Sequence, residues 1–361
     1  MRVAYTGLLY VGGMFIALCV SAQSPDEIEE LSVEQAASLI AEFKGERLSL
    51  NRLRSLSTET AAVLSTHDGA LFLNALNSLS AFSAQALATH QGDLGLDGLT
   101  SLDDNIAAGI CVHRDAVLSL NGITSLSLHQ AECLASHGGG YLDLDGLHSC
   151  SDELIAALAK HSGGLGLDGL RTLSDAQAQS FAQHQSPLDL NGLRTISPQQ
   201  AAALSKHRGR LSLYGMTEMS DESVDEISKF QGDLSLDGLL RISDLQAESL
   251  AKHRGTLILN SVIGLSDRSA KAIVSHKGNV FLRGLVRLSP SATEILQSQP
   301  EIHLPQALLK SNVVPAKKII TRRSQFDGTG FGKSILGSMR NDSSYRWMQE
   351  KFCPYDAINA P

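Results

Sequence analysis

From Leu48 to Leu304 the apolar and polar positions repeat one pattern, restarting eleven times at about 23-residue intervals. Each copy opens on Leu-x-Leu, passes through Asn or Asp and a glycine, and continues Leu-x-x-Leu-Ser. An alanine-rich stretch then closes on histidine, as in Leu165-Gly-Leu-Asp-Gly-Leu-Arg-Thr-Leu-Ser174 and on to His184. Leu188 and Leu190 alternate with outward positions, which predicts a short strand with one buried face. Asn191-Gly192 predicts a turn, where glycine tolerates positive φ and the Asn side chain bonds locally. Leu193 and Ile196 point back inside.

Ser197 then stands at a helix N-cap, with Pro198 at the first helical position. The same slot holds Ser57, Ser80, Ser127, Ser151, Ser174, Ser220, Ser243, Ser266 and Ser289. Acidic residues such as Asp152, Asp221 and Asp267 follow, favouring the positive helix end. Along a helix of about ten residues, too short to persist alone, Ala201 and Leu204 face the strand layer. Counting back from the histidine gives equivalent pairs Ala61/Leu64, Ala84/Leu87, Ala247/Leu250 and Ala270/Ile273. Glycine two residues past that slot (Gly69, Gly92, Gly139, Gly163, Gly209, Gly232, Gly255, Gly278) predicts a C′ stop. One such unit cannot bury its apolar face alone, so the units stack as a solenoid. Strands stack at about 4.8 Å and helices at roughly 8–10 Å, a mismatch that bends the array with the strands on the concave side.

The Leu-x-Leu strands, the leucines at the third and sixth positions after them, and the 23-residue period give the chain its resemblance. It resembles a bacterial leucine-rich-repeat protein over about residues 31–304. The resemblance implies an α/β fold: a right-handed, horseshoe-curved solenoid with a parallel concave sheet and helices on the convex side. It also implies a non-enzymatic scaffold. One departure stands out: Leu53, Leu99 and Leu193 occupy the place of the family's buried asparagine, and Asn or Asp sits directly after the strand. The usual asparagine ladder is therefore not carried over.

The organisation expected is a signal peptide over 1–22, a helical cap over 23–46, a solenoid of about 11–12 repeats over 47–304, and a basic tail or small cap over 305–361. Arg2 precedes an apolar run, Leu8 to Val20, which is too short for a membrane span, and cleavage is expected after Ala22. In the cap, Leu31 to Gly45 repeats the helical half, placing Ala37 and Ile40 in core slots. Ile302-His303-Leu304 reads as the last strand, and Pro305 breaks the pattern.

A chain of 361 residues, 43% apolar, with a net charge of −8 is neither disordered nor a general nucleic-acid binder. After Ala22 the cysteines are Cys111, Cys133, Cys150 and Cys353, without C-x-x-C spacing. Packing explains the first three, and the sequence does not fix a pairing. The histidine column (His67, His90, His113, His137, His161, His184, His207, His253, His276) suggests metal binding or a pH response. Helix spacing keeps ligands too far apart for a shared metal, and Phe43 and Phe230 in the same slot favour ring packing and charge at the helix end. The Asn/Asp column, including Asp145, Asp168 and Asp237, reads as turn chemistry, with calcium or a basic ligand as the alternative.

Candidate partner-binding residues lie on the concave face: Phe72, Tyr141, Asp143, Asp145, Asp168, Asp189, Arg210, Tyr214, Asp237 and Phe281. Aromatic and arginine side chains are where binding energy concentrates, and Asp143, Asp145, Asp168 and Asp189 make an acidic patch. From Lys310 on, nine Lys and Arg outnumber four Asp and Glu, leaving the rest of the chain at −13. Gly328-Thr-Gly-Phe-Gly-Lys-Ser334 misses the phosphate-loop pattern because Asp327 replaces its first glycine. Tyr345, Trp347, Met348 and Phe352 suit a small docking helix. No catalytic pair, metal motif or cofactor loop emerges. The expectation is an exported, monomeric scaffold for a protein or polymer, with no nucleic-acid partner. An envelope component anchored or docked by the basic, aromatic C-terminal segment is one alternative, and an enzyme with an unrecognised site is the other.

Overall fold

A computed structural model describes residues 5–11, 14–20, 24–114, 116–138 and 140–310. Tyr5–Val11 and Met14–Val20 form an antiparallel pair, with Tyr5 opposite Val20. The expected cleavage point at Ala22 and the aromatic residues of the tail lie outside the described residues.

From Arg47–Ser49 to Ile302–His303, twelve strands form a single sheet in which every strand is parallel to its sequence neighbours. The register aligns the repeats: Leu142 pairs with Leu165, Leu165 with Leu188, and Leu188 with Leu211. Between strands the chain returns through a helix, and consecutive helices pack side by side. Leu165, Leu167 and Leu170 of one repeat are all buried between the layers. Each such side chain contributes about 1.5–3 kcal/mol, and the slots merge into one continuous core from Ala36 to Leu304.

The capping serines behave as expected. Ser197 accepts the Gln200 N–H while Gln200 accepts the Ser197 N–H, a reciprocal capping box. The same Gln200 side chain donates to the Leu173 carbonyl of the preceding repeat at 2.8 Å, and Gln177 and Gln246 do likewise to Cys150 and Met219. One side chain thus caps its own helix and ties it to the previous one. Asp103 takes the cap role where serine is missing.

Three local expectations are corrected. The α-helical part is typically seven residues, as in Pro198–Leu204, and a tighter turn, with His207 N–H donating to Leu204 O, completes the run to the histidine. In the cap helix Val33–Glu42, Ala36 and Leu39 are the buried pair instead of Ala37 and Ile40. The count runs from the Ser32 cap, and an extra residue separates that cap from Phe43. The glycines past the histidine mostly do not stop the helix by positive φ, which among the described residues occurs only at Gly209 and Gly255. Gly92 is required because a Cβ there would lie 2.2 Å from the Gly69 carbonyl oxygen, so small residues let successive repeats stack. Gly192 is the same case, with a Cβ 2.1 Å from Asp168 O.

Candidate functional site

The Asn/Asp column forms a ladder, which corrects its reading as local turn chemistry. Asp168 Oδ1 accepts the Asn191 backbone N–H at 2.9 Å, and Asn191 Oδ1 accepts that of Tyr214, also at 2.9 Å. Equivalent rungs join Asn51 to Asn74, Asn74 to Asp97, Asp97 to Asn121, Asn121 to Asp145 and Asp145 to Asp168, at 2.8–3.2 Å. Beyond Tyr214, whose side chain offers no such acceptor, the ladder resumes from Asp237 to Asn260 and on to Arg283. These oxygens bond the next repeat, so Asp145, Asp168 and Asp237 serve mainly as structure. Stacked carboxylates repel, and burial together with Asp145 pushes Asp168 up to about 6.

The aromatic candidates divide. Tyr141 is only 3% exposed. Its ring lies over the next strand, where a Cβ on Gly164 would meet it at 2.2 Å. Its hydroxyl donates to Asp189 two repeats on, at 2.5 Å. Arg210 Nη2 holds the same carboxylate at 2.9 and 3.0 Å. Burial, then the charges of Asp189 and Asp143, hold the phenol well above its usual value, so it stays a donor. Asp143 is buried and accepts from Asn121 Nδ2 at 3.1 Å. Phe72 is likewise buried, under the Arg47 guanidinium at 4.2 Å and over Gly95. The expected open contact residues are therefore closed: Tyr141, Asp143 and Asp189 form one buried group, and Phe72 is covered separately by Arg47 and Gly95.

Tyr214, in contrast, is 52% exposed. Phe281 is half-buried, stacked on His303 at 4.3 Å with Arg283 above it at 5.2 Å. Sequence reasoning missed a neighbouring feature on the turn edge of the sheet. In the first eight repeats the residue after the first core leucine of the turn (or its Ile or Met equivalent) is exposed and polar: Arg54, Asn77, Thr100, Thr124, His148, Arg171, Arg194 and Thr217. In the last three it is Leu240, Ile263 and Val286, with Leu240 56% and Val286 71% exposed. Main-chain bonds from Ile263 N–H to Leu240 O and from Val286 N–H to Ile263 O, at 3.1 and 3.0 Å, set the three in a row. Superposing the repeats on the page would have revealed this switch, which falls outside the conserved-looking leucine slots.

The histidines form a buried column where each helix ends. Rings stack at 6.3 Å for His67–His90, 5.4 Å for His113–His137 and 5.8 Å for His184–His207. This lies between strand and helix spacing and corrects the expectation of helix-like separation. Phe230 stacks between His207 and His253 at 6.0 Å on each side, and Phe43 heads the column against His67. His90 and His207 place Nδ1 at 3.2 Å from the Ser65 and Phe181 carbonyls of the preceding repeat. Burial lowers the pKa values of His90 and, joined by neighbouring histidines, of His207 and His137, the last to about 3. The rings are neutral packing groups, not charged helix ends. His113 and His137 approach to 3.1 Å between nitrogens, but no group of three or more metal-ligating side chains forms among the described residues.

Strand ladder, Asn/Asp ladder and aromatic column together define a leucine-rich-repeat-like α/β solenoid. No family model and no curated protein matches the sequence. Among solved structures, the chain is similar to an internalin from Listeria monocytogenes, at 15% identity over 76% of each chain with a TM-score of 0.46. It is similar to the functional domain of InlJ from the same organism at 13% identity, over 74% of this chain and 58% of that one, TM-score 0.35. A leucine-rich-repeat protein from Leptospira interrogans aligns at 16% identity over 76% of this chain and 98% of its own, TM-score 0.32.

Proposed function

We propose that this protein is an exported, non-enzymatic scaffold that binds another protein through the last third of its solenoid. The observation that carries the reading is the apolar row of exposed Leu240, half-buried Ile263 and exposed Val286, at a position that is polar in the eight preceding repeats. Exposed apolar groups in a continuous row favour association, because contact removes them from water. Phe281 lies on the sheet face in the last of these repeats, Tyr214 stands on the turn of the repeat just before them, and exposed Arg241, Arg283 and Arg287 rim the row. An apolar segment flanked by acidic residues fits that surface. Export is supported by the Arg2 and Leu8–Val20 leader pattern. Internal bracing of Phe72 and Tyr141 turns weight away from the earlier repeats. A photo-reactive side chain placed at 240 or 286 tests the reading: it captures a partner that the same probe at 100 or 124 does not.

A further inference from the structure

The geometry points to a covalent modification: we propose that Cys111 and Cys133 close into an intramolecular disulfide that staples two adjacent repeats. Cys111 directly follows the helix Asp104–Ile110, and Cys133 lies within the next one, Leu128–Ala135. Their sulfurs are 2.7 Å apart and both residues are half-buried, within reach of a small oxidant. A bonded pair sits at about 2.0 Å, so closure requires under about 1 Å of sulfur movement. Cys150, by contrast, packs against the core, where burial pushes its thiol up to about 11.

The position is distinctive. Leu94 pairs with Leu118 and Leu118 with Leu142, steps of 24 residues where the preceding and following steps are 23. In these two longer repeats His113 Nδ1 faces His137 Nε2 at 3.1 Å, while its Nε2 lies 2.9 Å from the Gly92 carbonyl of the preceding repeat. The cross-link would therefore hold the solenoid where its period slips.

The chemistry balances with a small-molecule disulfide as oxidant. Cys111 can open the exchange, and swapping the two cysteines leaves the balance unchanged. The Cys111 thiolate displaces one small thiol and forms a mixed disulfide. Cys133, losing its proton, attacks the Cys111 sulfur and releases the second. Two protein thiols become one disulfide, and the oxidant is reduced to two thiols.

The test uses the purified full chain, treated with oxidised glutathione, alkylated, digested without reduction and mapped by mass spectrometry. The expected result is a peptide pair joined through Cys111 and Cys133, with Cys150 alkylated, and its loss on reduction. In Cys111→Ser, Cys133 becomes alkylated instead of cross-linked. Recovery of both cysteines as alkylated thiols after oxidation, or of either joined to a different cysteine, would overturn the proposal.

Discussion

The Tyr141 hydroxyl donates to the Asp189 carboxylate at 2.5 Å, across the intervening strand Gly164–Gly166. Glycines at both outward positions of that strand leave room for the ring, and Arg210 closes on the carboxylate from the far side. A large aromatic on the sheet face is thus a brace spanning consecutive repeats. Tyr141→Phe leaves a buried carboxylate short of one donor and is expected to cost about 1–3 kcal/mol in denaturant unfolding. Tyr141→Ala, which also empties the ring's place, costs more, about 3–5 kcal/mol. Equal stability of Tyr141→Phe and wild type would refute the brace.

Asn191 accepts from the Tyr214 N–H and from the Ser212 hydroxyl, at 2.9 and 2.7 Å. Asn191→Ala removes the acceptor of the Tyr214 N–H and of the Ser212 hydroxyl in the next repeat, with an expected loss of about 0.5–1.5 kcal/mol. A turn-only role predicts that Asn191→Gly is well tolerated. The ladder predicts that glycine is as costly as alanine, and the two variants' unfolding midpoints separate these accounts.

Stability falls as the solution is acidified. His67, His90, His137, His161, His184, His207, His253 and His276 all have pKa values lowered chiefly by burial. Below the unfolded value of about 6.5 the unfolded chain takes up protons that the folded chain refuses. Each neutral ring then removes up to about 1.4 kcal/mol of stability per pH unit. Asp168 and Asp237, raised by burial, work in the opposite sense, but they are two against eight. Thermal midpoints from pH 8 down to 5 are expected to hold until about 6.5 and then drop steeply. A flat profile would contradict the neutral column.

The slot tolerates a ring better than a void. Because Phe230 already stacks between two histidines, His207→Phe is expected to stay within about 1.5 kcal/mol of wild type. His207→Ala opens a cavity and is expected to lose about 2–4 kcal/mol. The phenylalanine variant also removes one proton from the acid uptake, which a shallower pH slope reports.

The repeat unit was largely legible in the sequence, because its determinants are local. Leu188 and Leu190 show the strand, Ser197 and Pro198 the helix start, and Ile302 the last strand. What escaped was contact between repeats. Asn191 looks like a turn residue until the N–H of Tyr214, 23 positions later, is placed beside it. Tyr141 looks exposed because its cover, Asp189, is 48 residues away. Gly92 reads as a helix stop, although its reason is the carbonyl of Gly69 in another repeat. The Leu240, Ile263 and Val286 row lies outside the leucine slots that attract attention, although the letters alone contain it.

The binding claim is tested most directly by comparing proteins retained from envelope extract by three forms of the chain. These are wild type, a variant carrying Tyr214→Ala, Leu240→Ser and Val286→Ser, and a control carrying Phe82→Ser and Val112→Ser, exposed apolar positions in earlier repeats. All three are first matched for thermal midpoint. A protein retained by wild type and control but reduced at least tenfold, about 1.4 kcal/mol, with the first variant is the predicted result. Equal retention by all three would contradict a binding surface in the last third of the solenoid.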